Sequence, residues 1–418
     1  MSELPAAAAP AGLVDLLVVA VEASADLHGA AVVRELKALL PGLRAFGAAG
    51  PLMRAEGVEA LVRAEDLSVM GIAEVLPALP RIFAALGTLR RAARERRPTV
   101  ALLIDSPDFN LRLAKRLRAL GVRVVYFIGP SVWAWRTYRV RQIARDVTRM
   151  LVILPFEAAF YAQHGVEATY VGNPLADGLR PLLESGEQPS RAALRAELGL
   201  DPERPLIALL PGSRRQEIHR LWEPMLGAAR LLRAQHPGLA FAVPVAPTID
   251  RASLESAAAG LDVRFLDGQA PALLRAADVA IVASGTATLE AALAQVPLVV
   301  VYRLSWLSWL IGKLLVRVKF VSLVNLLAGR RLVPELLQSG CNSESIAAEA
   351  GALLGDGAAR ESQLGGLRAL REALAPAGAP HAARNAAAEV KAVLERALLE
   401  RDVERAVERD VERDVELK

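Results

Sequence analysis

The sequence predicts an α/β protein with two doubly wound, Rossmann-like domains facing a cleft. Short runs rich in β-branched residues alternate with Ala/Leu/Arg-rich stretches, this alternation occurs twice, and the 418 residues suffice for two cores. Continuous apolar strands followed by helices are typical of parallel sheets covered on both faces. Ligands of such sheets bind beyond the carboxyl ends of the strands, so polar residues that directly follow a strand are candidates for a functional site.

The first alternation predicts an N-terminal domain at residues 13–180, after a flexible Ala/Pro-rich arm at 1–12. Its strands are expected at 13–21, 100–104, 122–128 and 150–154. Its helices are expected at 29–40, 111–120 and 137–145. Each of these helices follows a strand, as the doubly wound arrangement requires.

A linker rich in Pro, Ser and Glu is predicted at 181–205, before the second alternation. A C-terminal domain at 206–360 follows, then C-terminal helices at 361–394 and a charged helical tail at 395–418. Strands of this domain are expected at 206–210, 239–243, 263–266, 279–282 and 298–302, and helices at 216–236, 251–259 and 288–295. The tail repeats every four residues with a valine stripe, which indicates a solvated helical extension or a self-association seam.

Composition excludes several classes of protein. With 53% apolar residues and a mean hydropathy of +0.30, the chain is too apolar to be disordered. Its single cysteine, Cys341, excludes a disulfide framework and a cysteine-rich metal site. A scattered net charge of +4 argues against nucleic acid as a partner. No signal-peptide pattern and no apolar run of about 18 residues are found, so we expect a cytoplasmic protein without a spanning helix.

Two motifs in the second half predict a nucleotide-sugar site. The segment 211–217 follows a strand and opens a helix, so Gly212, Ser213 and Arg214 can bind a diphosphate; the alternative is a tight turn with a surface arginine. The segment 283–290 has the same arrangement. Its loop can hold phosphate and its carboxylate can bind a ribose diol; the alternative is an N-cap threonine with a helix-start charge. The candidates there are Gly285, Thr286, Thr288 and Glu290.

Polar residues after strands of the first half predict an acceptor site. Asp105 follows a buried strand and is the candidate general base, whereas Asp108 or Asn110 can simply cap the next helix. Further candidates for acceptor contacts are Glu22, Ser24, Asp26, His28, Trp133 and Arg136. Burial of the tryptophan in the core and a structural histidine are the alternatives, and no set of metal ligands is predicted.

Two apolar stretches suit contact with a membrane. Residues 67–86 precede an arginine cluster at 90–97, and an apolar face beside arginines is typical of helices that lie in an anionic interface. The candidates for membrane contact are Met70, Ile72, Val75, Leu76 and Leu79. The second stretch is 306–311, followed by a lysine, and burial in the core is the alternative for both stretches.

The motifs, taken in order, resemble the lipid-A-disaccharide synthase family over about residues 13–394. The similar segments are 22–24, 104–110, 130–136, 154–157, 210–214, 284–290, 321–330 and 333–338. The resemblance implies a glycosyltransferase fold of the B type and an inverting transfer of 2,3-diacylglucosamine from its UDP derivative to 2,3-diacylglucosamine 1-phosphate, with release of UDP. It implies partners at the cytoplasmic face of the inner membrane and, in this family, a second copy of the chain.

The resemblance also implies roles for individual residues. Asp105 matches the proposed base, Arg214 the phosphate-binding arginine, and Glu290 the ribose-binding acid. Asn325 and Gln338 match a polar pair of the nucleotide cleft. Because Arg214 and helix N-termini can stabilise a departing diphosphate, neither a metal nor another cofactor is expected.

The chain departs from the family pattern at several positions. Val21 and Ala25 stand where glycines are common, and Asn173 stands where histidine is common. Val324 and Arg331 replace a common proline and glutamate. Two alternatives therefore accompany the synthase: a non-catalytic or weakly active nucleotide-sugar- or lipid-binding paralogue, and another UDP-sugar transferase or epimerase of the same fold.

Overall fold

The computed structural model describes residues 14–67, 72–184, 189–305, 309, 318–376 and 380–416. The chain divides into two compact units, Met1–Pro174 with Pro380–Lys418 and Leu175–Ala379. Each unit contains one parallel sheet, with a hydrophobic cluster on either face. The predicted α/β class with two doubly wound domains is therefore confirmed.

The first unit contains a seven-stranded sheet. Its strands are β1 (Val14–Val19), β2 (Leu43–Ala49), β3 (Glu59–Arg63), β4 (Val100–Ile104), β5 (Arg123–Phe127), β6 (Arg149–Val152) and β7 (Ala168–Tyr170). Its helices up to this point are α1 (Ala23–Leu39), α2 (Pro51–Ala55), α3 (Ile72–Arg96), α4 (Pro107–Arg118), α5 (Arg139–Asp146) and α6 (Pro155–Ala162). The strand order is β3-β2-β1-β4-β5-β6-β7, so the direction of winding reverses between β1 and β4.

The second unit repeats this plan with six strands. They are β8 (Leu206–Leu210), β9 (Ala240–Val245), β10 (Val263–Asp267), β11 (Val279–Ala283), β12 (Leu298–Tyr302) and β13 (Glu335–Leu337), in the order β10-β9-β8-β11-β12-β13. Helices α7 (Pro174–Glu184), α8 (Arg191–Glu197), α9 (Arg215–Gln235), α10 (Arg251–Ala257) and α11 (Ala270–Ala276) come first. Helices α12 (Thr286–Leu293), α13 (Leu323–Ala328), α14 (Ser343–Gly351) and α15 (Ala358–Leu374) complete the unit. Here the winding reverses between β8 and β11.

The unit boundaries differ from the predicted domain ranges. The first unit ends at Pro174 rather than at 180. The described part of the predicted linker packs in the second unit, because Leu194 of α8 is buried in its core and the Arg195 guanidinium donates to Asp278 at 2.7 Å. Composition marked this segment as a connection, but its apolar and charged groups are used in packing. The predicted arm at 1–12 lies outside the described residues.

The final helix, α16 (Ala382–Glu416), returns to the first unit. Its residues Ala386, Val390 and Leu394 are buried in the same cluster as Val33 and Leu36 of α1. The predicted C-terminal helices at 361–394 therefore belong to two different units, and the predicted tail continues the helix that begins at Ala382. None of the described helices combines the length and the apolarity needed to cross a bilayer.

Candidate active site

The two reversals of strand order bring the predicted motifs together in pairs. Strands β1 and β4 are neighbours with Val19 opposite Leu103, so the loops after them, which begin near Glu22 and at Asp105, adjoin each other. Strands β8 and β11 are likewise neighbours, which brings the loops 211–214 and 284–286 together. Parallel sheets bind ligands in the crevice at such a reversal. The topology thus gives each unit one candidate site.

The loop after β4 holds strained backbone at the candidate base. Asp105 and Ser106 have φ values of 49° and 46°, a left-handed conformation that costs side-chain-bearing residues about 1–3 kcal/mol each. The buried Asn110 amide donates to the carbonyls of Ile104 at 3.0 Å and Asp105 at 2.8 Å. The Tyr126 hydroxyl also donates to the Asp105 carbonyl, at 2.6 Å. Asn110 therefore braces the loop, and Ser106 occupies the N-cap position of α4 that was open to Asp108 or Asn110.

The Asp105 carboxyl lies half-buried beside a second carboxylate. Burial raises its pKa, a hydrogen bond from the Ser106 backbone lowers it in part, and the charge of Glu22 raises it again. The Ser106 hydroxyl donates to Glu22 Oε1 at 3.0 Å. A carboxylate with a raised pKa is a better acceptor of a hydroxyl proton, so this pair of loops can supply a general base.

Asp26, a predicted acceptor contact, has a structural role. It is only 2% exposed. Its Oδ1 accepts the backbone N–H of Gly50 at 2.8 Å and of Met53 at 3.1 Å, and its Oδ2 accepts that of Leu52 at 2.9 Å. The carboxylate therefore caps the start of α2, and we remove it from the proposed acceptor contacts.

The other residues after β1 remain compatible with a site. Ser24 is exposed, and burial lowers the pKa of His28, which keeps its imidazole neutral at pH 7. Among the described non-glycine residues, neither Val21 nor Ala25 has a positive φ, so the loss of the family's glycines strains no backbone here. Asn173 is buried and donates to the Ile153 carbonyl at 3.1 Å.

A buried glutamate, Glu157, fixes the position of the Trp133 side chain. The half-buried indole donates to Glu157 Oε1 at 3.0 Å, and the ring packs edge-on against Phe156 at 4.9 Å between centroids. Glu157 Oε2 accepts the backbone N–H of Leu154 at 3.0 Å. Burial raises the pKa of Glu157 to about 7, although these hydrogen bonds oppose the shift. The sequence analysis did not select Glu157. Its position three residues after the N-cap Leu154, where glutamate often accepts the N-cap N–H, could have indicated its role.

Arg136 also lies at the carboxyl end of the first sheet. Its backbone has a φ of 55°, and its guanidinium lies 3.7 Å from Asp108 Oδ1 and 4.1 Å from the centroid of a Trp135 ring. The Asp108 carboxylate also pairs with Arg139. These contacts hold the cation near the loops without burying it, as an anion-binding role requires.

The loop after β8 is open and rich in donors. Gly212 has a φ of 109°, and α9 begins three residues later. The Arg214 side chain is 82% exposed and its Nη1 lies 3.0 Å from Glu217 Oε1. The Ser213 carbonyl accepts a hydrogen bond from the Thr248 hydroxyl at 2.7 Å, a contact that sequence reasoning did not foresee. The helix start and the arginine together suit a diphosphate.

The loop after β11 opens α12 in the same way. Gly285 is the N-cap and, like Thr286, is exposed. Thr288 is buried and its hydroxyl donates to the Gly285 carbonyl at 2.7 Å, so the alternative in which Thr288 itself is the N-cap is wrong. Glu290 is half-buried, and burial raises its pKa. Gly285, Thr286 and Glu290 thus stay available for a nucleotide, whereas the fully buried Thr288 is removed from the proposed contacts because its hydroxyl bonds within its own helix start.

Asn325 forms hydrogen bonds within its own unit. It is fully buried, its Oδ1 accepts the backbone N–H groups of Leu332 at 2.7 Å and Val333 at 2.9 Å, and its Nδ2 donates to Glu335 Oε1 at 2.9 Å. An amide with both ends engaged joins α13 to the segment before β13. We therefore remove Asn325 from the proposed nucleotide contacts.

The side-chain amide of Gln338, directly after β13, is likewise engaged at both ends. Its Oε1 accepts the Leu304 N–H at 2.7 Å and its Nε2 donates to the Leu304 carbonyl at 3.2 Å. Its own carbonyl accepts from Arg303 Nε at 3.1 Å. The side chain thus fixes the chain as it leaves β12.

A groove of about 660 Å³ lies between α9 and α14 beside the end of β12. Its volume falls in the range of small-molecule sites, and its lining is polar with charged side chains of both signs. Sequence reasoning selected none of its residues, because they come from segments far apart in the chain. They are His219, Arg220, Glu223, Pro224, Arg303, Leu304, Asn342, Ser343 and Glu344.

The predicted membrane residues fall mostly outside the described residues. This holds for Met70, for the side chains of Ile72, Val75 and Leu76, and for most of the second apolar stretch. Leu79 is described and is half-buried on α3. Farther along α3, Phe83 is 51% exposed. Within the described part of the chain, no three His, Cys, Asp or Glu side chains lie close enough to hold a metal ion.

Comparison with known proteins identifies relatives across most of the chain. The family described as Lipid-A-disaccharide synthetase matches residues 16–388. The lipid-A-disaccharide synthase of Anaeromyxobacter dehalogenans (strain 2CP-C) is 55% identical over 362 residues, which cover 86% of this chain and 93% of the relative. That of Myxococcus xanthus (strain DK1622) is 52% identical over 362 residues, with the same coverage of both chains.

Solved structures share the fold at low identity. The UDP-GlcNAc 2-epimerase from Neisseria meningitidis bound to UDP-GlcNAc has a TM-score of 0.58 and 12% identity, covering 91% of this chain and 100% of that chain. The calicheamicin glycosyltransferase CalG4 has a TM-score of 0.56 and 15% identity, covering 91% of this chain and 98% of that chain. These likenesses confirm the predicted fold, and the match over residues 16–388 adds the family. The chain belongs to the lipid-A-disaccharide synthase family.

Proposed function

We propose that the chain transfers 2,3-diacylglucosamine from its UDP derivative to the 6-hydroxyl of 2,3-diacylglucosamine 1-phosphate, with inversion and release of UDP. Membership of the lipid-A-disaccharide synthase family supports this reaction. The observation in the structure that carries it is the Asp105 carboxyl, which lies on braced, strained backbone with its pKa raised.

The base has a defined task in this reaction. The acceptor hydroxyl attacks the anomeric carbon, the bond from that carbon to the diphosphate breaks, and the hydroxyl proton passes to Asp105. Glu22 keeps negative charge near Asp105, which makes the protonated product state easier to reach. In this proposal, Trp133 and Arg136 contact the acceptor sugar and its phosphate, which their position at the carboxyl end of the first sheet supports.

The leaving group is stabilised in the second unit. Negative charge develops on the diphosphate as the glycosidic bond breaks, and donors oriented in advance stabilise such charge most effectively. Arg214 and the N–H groups at the start of α9 supply these donors, with Gly285 and Thr286 of the neighbouring loop. Burial raises the pKa of Glu290, and its carboxyl oxygens can accept hydrogen bonds from the ribose hydroxyls.

The test is turnover with both diacylated substrates in mixed micelles, followed by mass spectrometry of the lipid and nucleotide products. We expect UDP and a disaccharide 1-phosphate, formed only when donor and acceptor are both present. An epimerase would alter the donor alone, and a non-catalytic paralogue would bind UDP without turnover. Either result would overturn the proposed reaction.

We further propose that the first unit lies on the cytoplasmic face of the inner membrane. The exposed Phe83 shares α3 with the exposed Arg81, Arg90 and Arg94, and cations beside an apolar side chain favour an anionic interface. Co-sedimentation with vesicles containing 30% anionic lipid tests this, with Phe83→Ser and Arg90→Ser as variants. Equal binding to neutral vesicles would contradict the proposed contribution of the arginines to membrane binding.

Self-association stays a prediction of the tail repeat. On α16, Leu399, Val403 and Val407 are 65%, 63% and 57% exposed and are spaced four residues apart. This spacing supports a seam between two copies, although it departs from the coiled-coil period. Light scattering of the full chain and of a chain ending at residue 398 distinguishes a seam from a solvated extension.

A further inference from the structure

The carboxylate of Glu217 lies on the donors that the proposed function assigns to the diphosphate. Its Oε2 accepts the backbone N–H of Ser213 at 3.1 Å and of Arg214 at 3.2 Å. Its Oε1 accepts the Arg214 guanidinium at 3.0 Å. Gly212 permits this close approach, because a Cβ at that position would lie only 2.3 Å from Glu217 Oε2. One side chain thus engages two amides and one cation at the start of α9.

A carboxylate and a phosphate oxygen require the same donors. Both accept charge-assisted hydrogen bonds from N–H groups at a helix start and from arginine. Both are anions, so a diphosphate that approaches these donors is repelled by Glu217 as long as the carboxylate stays in place. Binding of the diphosphate therefore requires the carboxylate to move away or to tolerate this repulsion.

We infer that Glu217 is an internal competitor of the diphosphate: its carboxylate occupies the phosphate donors until the nucleotide displaces it, and so sets the affinity for UDP. This inference rests on the proposed function, since it assigns the diphosphate to the start of α9. The return of Glu217 to these donors also favours departure of UDP after the transfer.

The competition affects only ligands that carry phosphate. Uridine has no group that uses these donors, so its affinity is expected to be independent of Glu217. A purely structural role would affect UDP and uridine alike. Glutamine at this position keeps one acceptor oxygen and is a normal partner in a helix-capping box, so Glu217→Gln removes charge while preserving the start of α9.

The experiment is calorimetric titration of the full chain with UDP and with uridine. The variants are Glu217→Gln, Glu217→Asp and the control Glu255→Gln. Glu255 is matched because it accepts a hydrogen bond from Arg251 at 2.7 Å on α10, so its substitution removes the same charge and breaks a similar pair. Circular dichroism confirms that each variant is folded.

For Glu217→Gln we expect UDP to bind roughly three- to fivefold more tightly, the effect of one partly exposed charge on its neighbour. Uridine affinity is expected to stay within about twofold, as is UDP affinity of Glu255→Gln. Glu217→Asp, whose carboxylate is one methylene shorter, is expected to lie between wild type and glutamine. The inhibition constant of UDP in the transfer reaction should fall with the dissociation constant.

Unchanged or weaker UDP binding by Glu217→Gln would overturn the inference. An equal gain for UDP and uridine would also overturn it, because that result indicates a general rearrangement of the site. If wild type binds neither UDP nor uridine, the proposed function itself fails. The failure of the inference and the failure of the function are thus distinguishable in one set of titrations.

Discussion

The loops at the two reversals of strand order share one topology but differ in backbone conformation and exposure. At the first, Asp105 and Ser106 adopt left-handed backbone despite their side chains, and buried polar groups brace the loop. At the second, Gly212 supplies the positive φ, and Arg214 is 82% exposed. A reacting carboxyl benefits from a fixed position and a shifted pKa, and in this loop the hydrogen bonds of Asn110 supply the first and burial supplies the second. A diphosphate is large and charged, so its site must be open and rich in donors.

The largest effect is expected at the base itself. Asp105→Asn keeps the shape of the side chain but cannot take a proton, so kcat should fall by about 100- to 10,000-fold. UDP affinity should stay unchanged, because Asp105 belongs to the other unit. The control is Asp15→Asn, the same change of charge in the same unit, at a carboxylate near the start of β1 that pairs with Arg44. Full activity of Asp105→Asn would remove the proposed role of this loop.

The next effect concerns the donors of the second unit. Arg214→Ala removes the guanidinium proposed to bind the diphosphate, and we expect kcat/KM to fall by about 100- to 1,000-fold. Uridine should bind as before. Arg215→Ala removes the neighbouring exposed arginine and should change kcat/KM by no more than about threefold. Equal losses for Arg214→Ala and Arg215→Ala would show that general positive charge, rather than one positioned arginine, acts here.

The pH dependence of the unfolding free energy tests the raised pKa of the buried Glu157. The pKa of Glu157 is about 7 in the folded chain against an ordinary 4.5, so only the folded chain holds the proton between these values. The stability from this group is complete below pH 4.5 and is lost as the pH rises to about 7. The expected loss is roughly 3 kcal/mol, and it should level off at higher pH.

Glu157→Gln checks this prediction, because glutamine does not titrate. Urea unfolding at pH 5, 6, 7 and 8 should show that the variant lacks the decline seen in wild type. The unfolding free energy of the variant should be lower than that of wild type at pH 5, because the NH₂ group of glutamine cannot accept the hydrogen bond that one carboxyl oxygen accepts. Parallel curves for the two proteins would contradict the shifted pKa.

The smallest effect is expected at Glu290. Glu290→Gln weakens the acceptor for the ribose hydroxyls, so UDP affinity should fall about three- to tenfold. The deoxyribose nucleotide dUDP has one hydroxyl fewer, so Glu290→Gln should reduce its affinity less than it reduces that of UDP. Titrations of wild type and variant with both nucleotides measure this difference. An equal loss for both nucleotides would place Glu290 away from the ribose.

Several regular elements could be predicted from the sequence because their signals are local. Strands β4, β8 and β12 begin and end where their apolar runs do, since a strand buried on both faces excludes charge from its whole length. In contrast, β2 and β3 were not predicted. Strand β2 is rich in Ala and Gly, and β3 carries charge at both ends, so their extended state depends on pairing with a neighbour.

The sequence by itself determined the fold class, the family and the loops that form the proposed site, because these depend on periodicity and on the order of motifs. Only the tertiary structure decided which polar side chains in those loops are available. Asp26 and Asn325 have the right chemistry, but their hydrogen bonds hold the fold together. Asp26 bonds to an amide 24 residues away, and such a partner exists only once the chain has folded. Burial and pairing, which set the pKa of Asp105 and engage Glu217, are likewise properties of the packed structure.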